Sequence, residues 1–172
     1  MDKPAGRGGR SEIPFPQADN PFKVIDVIGI VADCKTADDE TLADFMDMVS
    51  RQGAYYGNAA AFLGYIKMIG GWWRLTKQGE SFQQLTSSQR TRALADTILA
   101  LPVFEYAAEH VAIMGDVPRD KDTASIIQEN DDRVNETTAM RRAKTVNSWV
   151  DMVAQTCPQA IQEIQNIINA EG

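Results

Sequence analysis

Arg51, Gln52, Tyr55 and Asn58 crowd the start of one stretch, and Asn135, Thr137, Thr138, Arg141, Arg142 and Lys144 crowd the start of another. Side chains of these types can read base-pair edges. Arginine pairs with guanine, and glutamine or asparagine with adenine, through two parallel hydrogen bonds in the major groove. Tyr56 adds a hydroxyl that suits a phosphate, and Arg74 and Lys77 add two cations in an aromatic stretch. The second group opens a helix, whose first backbone N–H groups are free to meet an anion. Each residue also has a plainer use. Tyr55 or Tyr56 can be core, Arg51 can pair with Asp47 one turn earlier, and Arg74 and Lys77 fit a solvated ribbon. The second group can be a capped, solvated helix start, with Thr145 and Ser148 fitting either use.

Enzyme chemistry finds little to work with. The single histidine, His110, stands beside Glu109 with no serine or cysteine nucleophile pattern near it, so a structural role is expected. Neither GRGG nor GESF carries the Lys-Ser/Thr pair of a phosphate loop. The pairs Asp38/Asp39 and Asp131/Asp132 lack the Glu-x-Lys companion of a nuclease metal site and read as helix-start or loop charges. Cys34 and Cys157 lack metal-ligand or CxxC spacing and read as reduced structural thiols. No catalytic residue, no metal and no cofactor is expected.

The first group must be held by the stretch Ser50 to Gly79. Tyr55, Ala59, Phe62, Leu63, Ile66 and Ile69 fall at three- and four-residue steps, which predicts one long helix from Arg51 to Ile69, capped by Ser50 and stopped at Gly70-Gly71. Trp72 to Thr76 suits a strand, on which one tryptophan should face the core and the other should not. Upstream, Asp19-Asn20-Pro21 starts a helix whose Phe22, Val24, Ile25, Val27, Ile28 and Val31 are apolar. Thr36 to Asp39 opens a short helix with Thr41, Leu42, Phe45 and Met46 inward.

Thr86 caps a helix that runs to Leu101, and Pro102 then starts a new set. Its members are a helix with Val103, Phe104, Ala107, Ala108, Val111 and Met114, a short helix from Thr123 to Glu129, and a long one from Asn135 to about Ala154. Met140, Ala143, Val146, Val150 and Val153 mark the core face of the last. Each element lies roughly 80 residues after its counterpart, which suggests a duplicated helix-turn-helix unit, the second without a wing. A final helix from Gln159 to Ala170 spaces Ile161, Ile164, Ile167 and Ile168 for packing on the core or on a second copy.

RQGAYYGNAAAFLGYI followed by WWRLTKQGESF resembles the winged-helix module attached to some bacterial restriction endonucleases and related DNA-targeting proteins. The likeness rests on Arg51-Gln52, Tyr55-Tyr56, a small-residue segment ending in Leu63-Gly64, and an aromatic strand ending in Leu75-Thr76-Lys77-Gln78-Gly79. TTAMRRAKTVNSW, from Thr137 to Trp149, is similar to the module's second part. Together the matches span most of residues 21 to 155, and no nuclease domain accompanies them. The resemblance implies DNA binding, in a restriction, phage-defence or regulatory setting, and does not imply cleavage.

The expected fold is therefore mainly α: tandem winged-helix or helix-turn-helix-like units with a small β-wing. Residues 1-18 form a disordered or draped arm whose Arg7-Gly8-Gly9-Arg10 is either a solvated tail or a minor-groove contact, and whose Ile13 and Phe15, beside Pro14 and Pro16, have the alternative of packing on the domain or on a second copy. The first unit covers 19-85, a connecting helix 86-101, the second unit 102-155 and a C-terminal helix 156-172. A net charge of −7 counts against whole-surface binding to nucleic acid, though phosphate contacts depend on local charge. No apolar run reaches membrane-spanning length and no signal-peptide core is present, so a cytoplasmic chain without a membrane partner is expected. Duplex DNA is the expected partner, with a separate nuclease chain as an accessory and a homodimer through the last helix. The alternative of another class is an acidic protein-interaction adaptor or DNA mimic on the same scaffold, engaging a protein through Asp38, Asp39 and Glu40.

Overall fold

The structure is a computed structural model, and it describes residues 13–172. Among these residues the chain is mainly helical, with one two-stranded antiparallel sheet. A 3-10 turn at Pro21–Lys23, capped by Asn20, leads into α1 (Val24–Asp33), which buries Val24, Val27, Ile28 and Val31. α2 (Asp39–Phe45) starts on a capping box in which the Asp38 side chain accepts from the Thr41 amide at 2.9 Å. α3 (Ser50–Phe62) follows, then β1 (Ile66–Ile69) and β2 (Trp72–Leu75). Trp73 N donates to Ala37 O at 2.7 Å, so the segment between α1 and α2 adds an isolated bridge to the outer edge of β2.

The predicted long helix is a helix and a strand. α3 ends at Phe62 because Gly64 adopts φ +89, a left-handed conformation that glycine reaches without strain. Ile66–Ile69 then pairs with Trp72–Leu75 across Gly70 and Gly71, whose φ values of +59 and +87 are those of a two-residue hairpin loop. The buried face of α3 is also rotated from the expected one. Gly53, Tyr56, Gly57, Ala59, Ala60 and Ala61 are buried, while Tyr55 and Phe62 are only half-buried and Ile69 is exposed. Small residues let α3 lie close against its neighbours: a Cβ on Gly57 would stand 3.0 Å from the Trp73 indole. Phe45, expected inward on α2, is 66% exposed. Ser50 is the first helical residue, and Val49 precedes it without a side-chain cap.

A clasp closes the first half. The Thr76 hydroxyl donates to Gly64 O at 2.6 Å and accepts from Gly79 N at 3.1 Å, capping α4 (Lys77–Gln83). Gln78 Nε2 donates to Leu63 O at 3.2 Å, so the free carbonyls after α3 are satisfied by the start of α4.

α5 (Ser87–Leu99) opens on a Thr86 capping box and meets α6 (Pro102–Met114) at 104°. α7 (Asp120–Asn130) packs along α8 (Glu136–Thr156), and α9 (Pro158–Glu171) lies on α6 with further contacts to α8 and α5. Buried Asn147 of α8 ties down the start of α7: its amide donates to Pro118 O at 3.0 Å and Asp120 Oδ1 at 2.9 Å, and its carbonyl accepts from Thr123. Both halves contribute to one hydrophobic core. Phe15 joins them, with ring centroids 5.4 Å from Phe62 and 6.2 Å from Phe104. Trp149 Nε1 donates to Ala18 O at 2.8 Å, and Pro16 and Ala18 are buried. Of the readings of the arm, the draped one holds for Phe15 to Ala18, where Phe15 packs between the halves, while Ile13, Pro14 and Gln17 are exposed. The Arg7–Arg10 segment lies outside the described residues. No described helix is long and apolar enough to cross a membrane on its own.

Candidate nucleic-acid interface

α3 places Arg51, Tyr55, Asn58 and Phe62 at steps of four, three and four, which is one stripe along its outer side. Arg51 and Gln52 are exposed, and Tyr55 and Asn58 half-buried. Arg51 is not paired with Asp47. Its Nε donates to the Tyr55 hydroxyl at 2.6 Å and its guanidinium lies 5.4 Å from the Tyr55 ring centre, a cation–π arrangement that holds both side chains outward. Tyr56 faces the other way: it is buried and its hydroxyl accepts from Asn20 N at 3.3 Å. That removes Tyr56 from any phosphate contact.

The hairpin has two faces, because directly opposed residues share a side and successive ones alternate. Ile66 with Leu75 and Met68 with Trp73 share one side, on which Ile66 and Trp73 are buried, Leu75 is half-buried and Met68 at the end is exposed; Trp73 donates its indole N–H to Asp39 Oδ1 at 2.9 Å. Lys67 with Arg74 and Ile69 with Trp72 face outward. Arg74 is half-buried and its guanidinium donates to Lys35 O, so it braces the segment before α2. Lys77 is exposed but opens α4 and is not part of the strand. Sequence reasoning missed Lys67, Ile69 and Trp72, all exposed on this face. Their signal was the two-residue alternation of Ile66–Ile69 before a Gly-Gly turn, hidden by the longer helical pattern that overlaps it.

The second group gathers on the first half of α8. Asn135 is its cap, the side chain accepting from Thr138 N at 2.8 Å. Thr137, Met140, Arg141 and Lys144 line a shallow surface hollow with Glu136. Arg142 is half-buried, its guanidinium 5.1 Å from the Phe15 ring centre, and its Nε is buried without a hydrogen-bond partner. Arg142 therefore helps hold Phe15, while Arg141 and Lys144 stay free at the surface. Phe15 touches Phe62 on one side and Arg142 on the other, so the end of the α3 stripe and the α8 group meet there. Arg51 lies at the far end of that stripe, roughly 16 Å away along the helix axis at 1.5 Å per residue.

Charge follows the same division. Arg51, Lys67, Arg74 and Lys77 are the only charged residues from Met48 to Gly79, and Arg141, Arg142 and Lys144 the only ones from Thr137 to Val150. Both acid-free stretches sit in a chain of net charge −7. The carboxylates suggested for an acidic adaptor are partly committed inside the fold. Asp38 caps α2, where the Thr41 amide and hydroxyl hold its carboxyl below the usual range, and Asp39 takes the Trp73 indole. His110 is half-buried, with Nδ1 2.6 Å from Asp116 O at the end of α6. Among the described residues no group of His, Cys, Asp and Glu is placed to hold a metal ion.

A family model described as a domain of unknown function, DUF7226, matches residues 23–157, and the chain belongs to this family. No curated protein and no solved structure matches it.

Proposed function

We propose that this member of the DUF7226 family is a non-catalytic duplex-DNA-binding protein whose first half is a winged helix. The observation that carries the proposal is the segregation of charge. In an acidic chain, the stretches Met48 to Gly79 and Thr137 to Val150 hold cations and no carboxylate, with Glu80 and Glu136 directly at their edges. Phosphate affinity responds to such local fields rather than to net charge. The winged-helix assignment is supported by the element order, with the Ala37 bridge between α1 and α2 pairing to the second strand of the hairpin that follows α3. Arg51, Gln52 and Asn58 would meet base edges, Lys67 and Lys77 phosphates, and Arg141 and Lys144 a second stretch of backbone. Any cleavage would come from a separate nuclease chain.

The test is selection and sequencing from random duplex DNA across a salt series. The expected result is an enriched motif with affinity that falls steeply with salt. Lys144→Glu should weaken binding uniformly across sequences and lower the salt slope by about one or more, whereas Asn58→Ala should relax preference at one position. Arg142 is unsuitable for the test because it supports Phe15. No retention of DNA at low salt would overturn the proposal.

A further inference from the structure

The face made by α5, α6 and α9 carries none of the DNA-contact candidates, and an open groove runs along it. Leu99 at the end of α5 and Ile164, Ile167 and Ile168 of α9 form its apolar floor. Glu105 and Glu109, one turn apart on α6, and Glu163 and Glu171 on α9 also line it. The apolar seam of α9 runs out of cover along its length. Ala160 is 3% exposed and Ile167 is 59% exposed.

Arg92 is the one cation among the lining residues, and it is already held by Asp96 at 2.9 Å and by Glu163. Glu105, Glu109 and Glu171 have no ion pair among the described residues. The groove is therefore apolar below and negative along its sides.

We propose that this groove docks a basic amphipathic helix from a partner protein. Apolar side chains spaced three and four apart would cover Leu99, Ile164 and Ile167, and flanking Lys or Arg would meet Glu105, Glu109 and Glu171. α9 is about 21 Å long at 1.5 Å per residue, which accommodates about four turns of such a helix. Other occupants fit less well. A symmetric second copy would set carboxylate against carboxylate, and nucleic acid or an anionic membrane would meet the same repulsion.

The probe is a fluorescein-labelled fourteen-residue Leu/Lys peptide of helical spacing, followed by anisotropy with the full chain. Leu/Glu and Ser/Lys peptides of the same length serve as controls. The expected result is micromolar binding of the Leu/Lys peptide alone, weakened about tenfold in Glu105→Lys/Glu109→Lys and about fivefold in Ile167→Ser. These three positions are exposed, so the variants should fold, which circular dichroism checks. Arg141→Glu should leave peptide binding unchanged, separating this site from the DNA-contact surface. Equal binding of either control peptide, or full binding by the Glu105→Lys/Glu109→Lys chain, would overturn the proposal. Self-association of the wild-type chain that Ile167→Ser abolishes would also overturn it, assigning the groove to a second copy.

Discussion

Gly79 lies so close to the carbonyl of Tyr65 that a Cβ there would collide with backbone. Gly79→Ala should therefore cost about 2–3 kcal/mol, the usual scale of overpacking, because a carbonyl cannot swing aside as a side chain can. Gly29, inside α1, has nothing within 4 Å of where a Cβ would stand. Gly29→Ala should instead add about 0.5–1 kcal/mol, since the helix loses a flexible residue and no contact is strained. Urea midpoints of the two variants should move in opposite directions, and a shared direction would refute this account. The same local reasoning explains why much of the quoted motif is structural. Gly64, Thr76 and Gly79 form the clasp between α3 and α4, Asn147 fastens α7, and Trp149 holds the chain at Ala18. The residues of the motif left facing solvent include Arg51, Gln52, Lys77, Thr137, Arg141 and Lys144, where recognition can act.

Among the elements, α9 is the most weakly buried helix of the second half, with Ala160 its one fully buried residue. Arg92 fastens it to α5 through Glu163, and the hydrogen bond from that guanidinium holds the Glu163 carboxyl below its usual range. A carboxylate with a depressed folded pKa contributes stability above its unfolded value and loses that contribution as pH falls through the folded one. Protection of the α9 amides, taken relative to their intrinsic exchange rates, should therefore fall on acidification below the ordinary carboxylate range more than that of the α8 amides. Glu163→Gln should be less protected in α9 at neutral pH and lose less protection on acidification. If the variant keeps the wild-type acid response, the Arg92 clamp is not its cause. The side chains are exposed, so the effect should be modest and should shrink in high salt.

Across the whole molecule, the two repeated-looking halves share one core, which predicts a single cooperative transition. Phe15 stands between Phe62 of α3, Phe104 of α6 and Arg142 of α8, and Phe104 in turn packs on Trp149 at 5.7 Å. Phe15→Ala should destabilise the entire chain by about 2 kcal/mol, below the scale for a fully buried phenylalanine because Phe15 is half-buried. Tryptophan fluorescence, which samples Trp73 and Trp149 in opposite halves, should then report the same midpoint as far-ultraviolet circular dichroism. Two separated transitions would mean independent units. A joint core also bears on recognition, since the α3 stripe and the α8 cations cannot be repositioned independently while Phe15 is in place.

Apolar spacing, proline starts and capping side chains were enough to locate α1, α5, α6, α8 and α9 within a few residues, because these signals act along the helix itself. The alternation of Trp72 and Trp73 was legible for the same reason: a strand sorts neighbours to opposite sides wherever it lies. The end of α3 was not legible, since Ile66 and Ile69 satisfy a helical period and a strand period alike, and Gly64 decides between them only once Thr76 and Gln78 satisfy the carbonyls it frees. Nor was the face of α3, packed through glycine and alanine with little apolar signal; that Phe15 could pack on the domain was legible from its prolines and apolar type, but not that it would sit between Phe62 and Phe104. Which cations remain at the surface was likewise settled by distant partners: Lys35 engages Arg74 and Phe15 engages Arg142, while Arg141 and Lys144 meet solvent. Local periodicity therefore determined the elements, and only the tertiary structure, through contacts between residues far apart in the chain, decided where they stop, which side they bury and which charges are left to act.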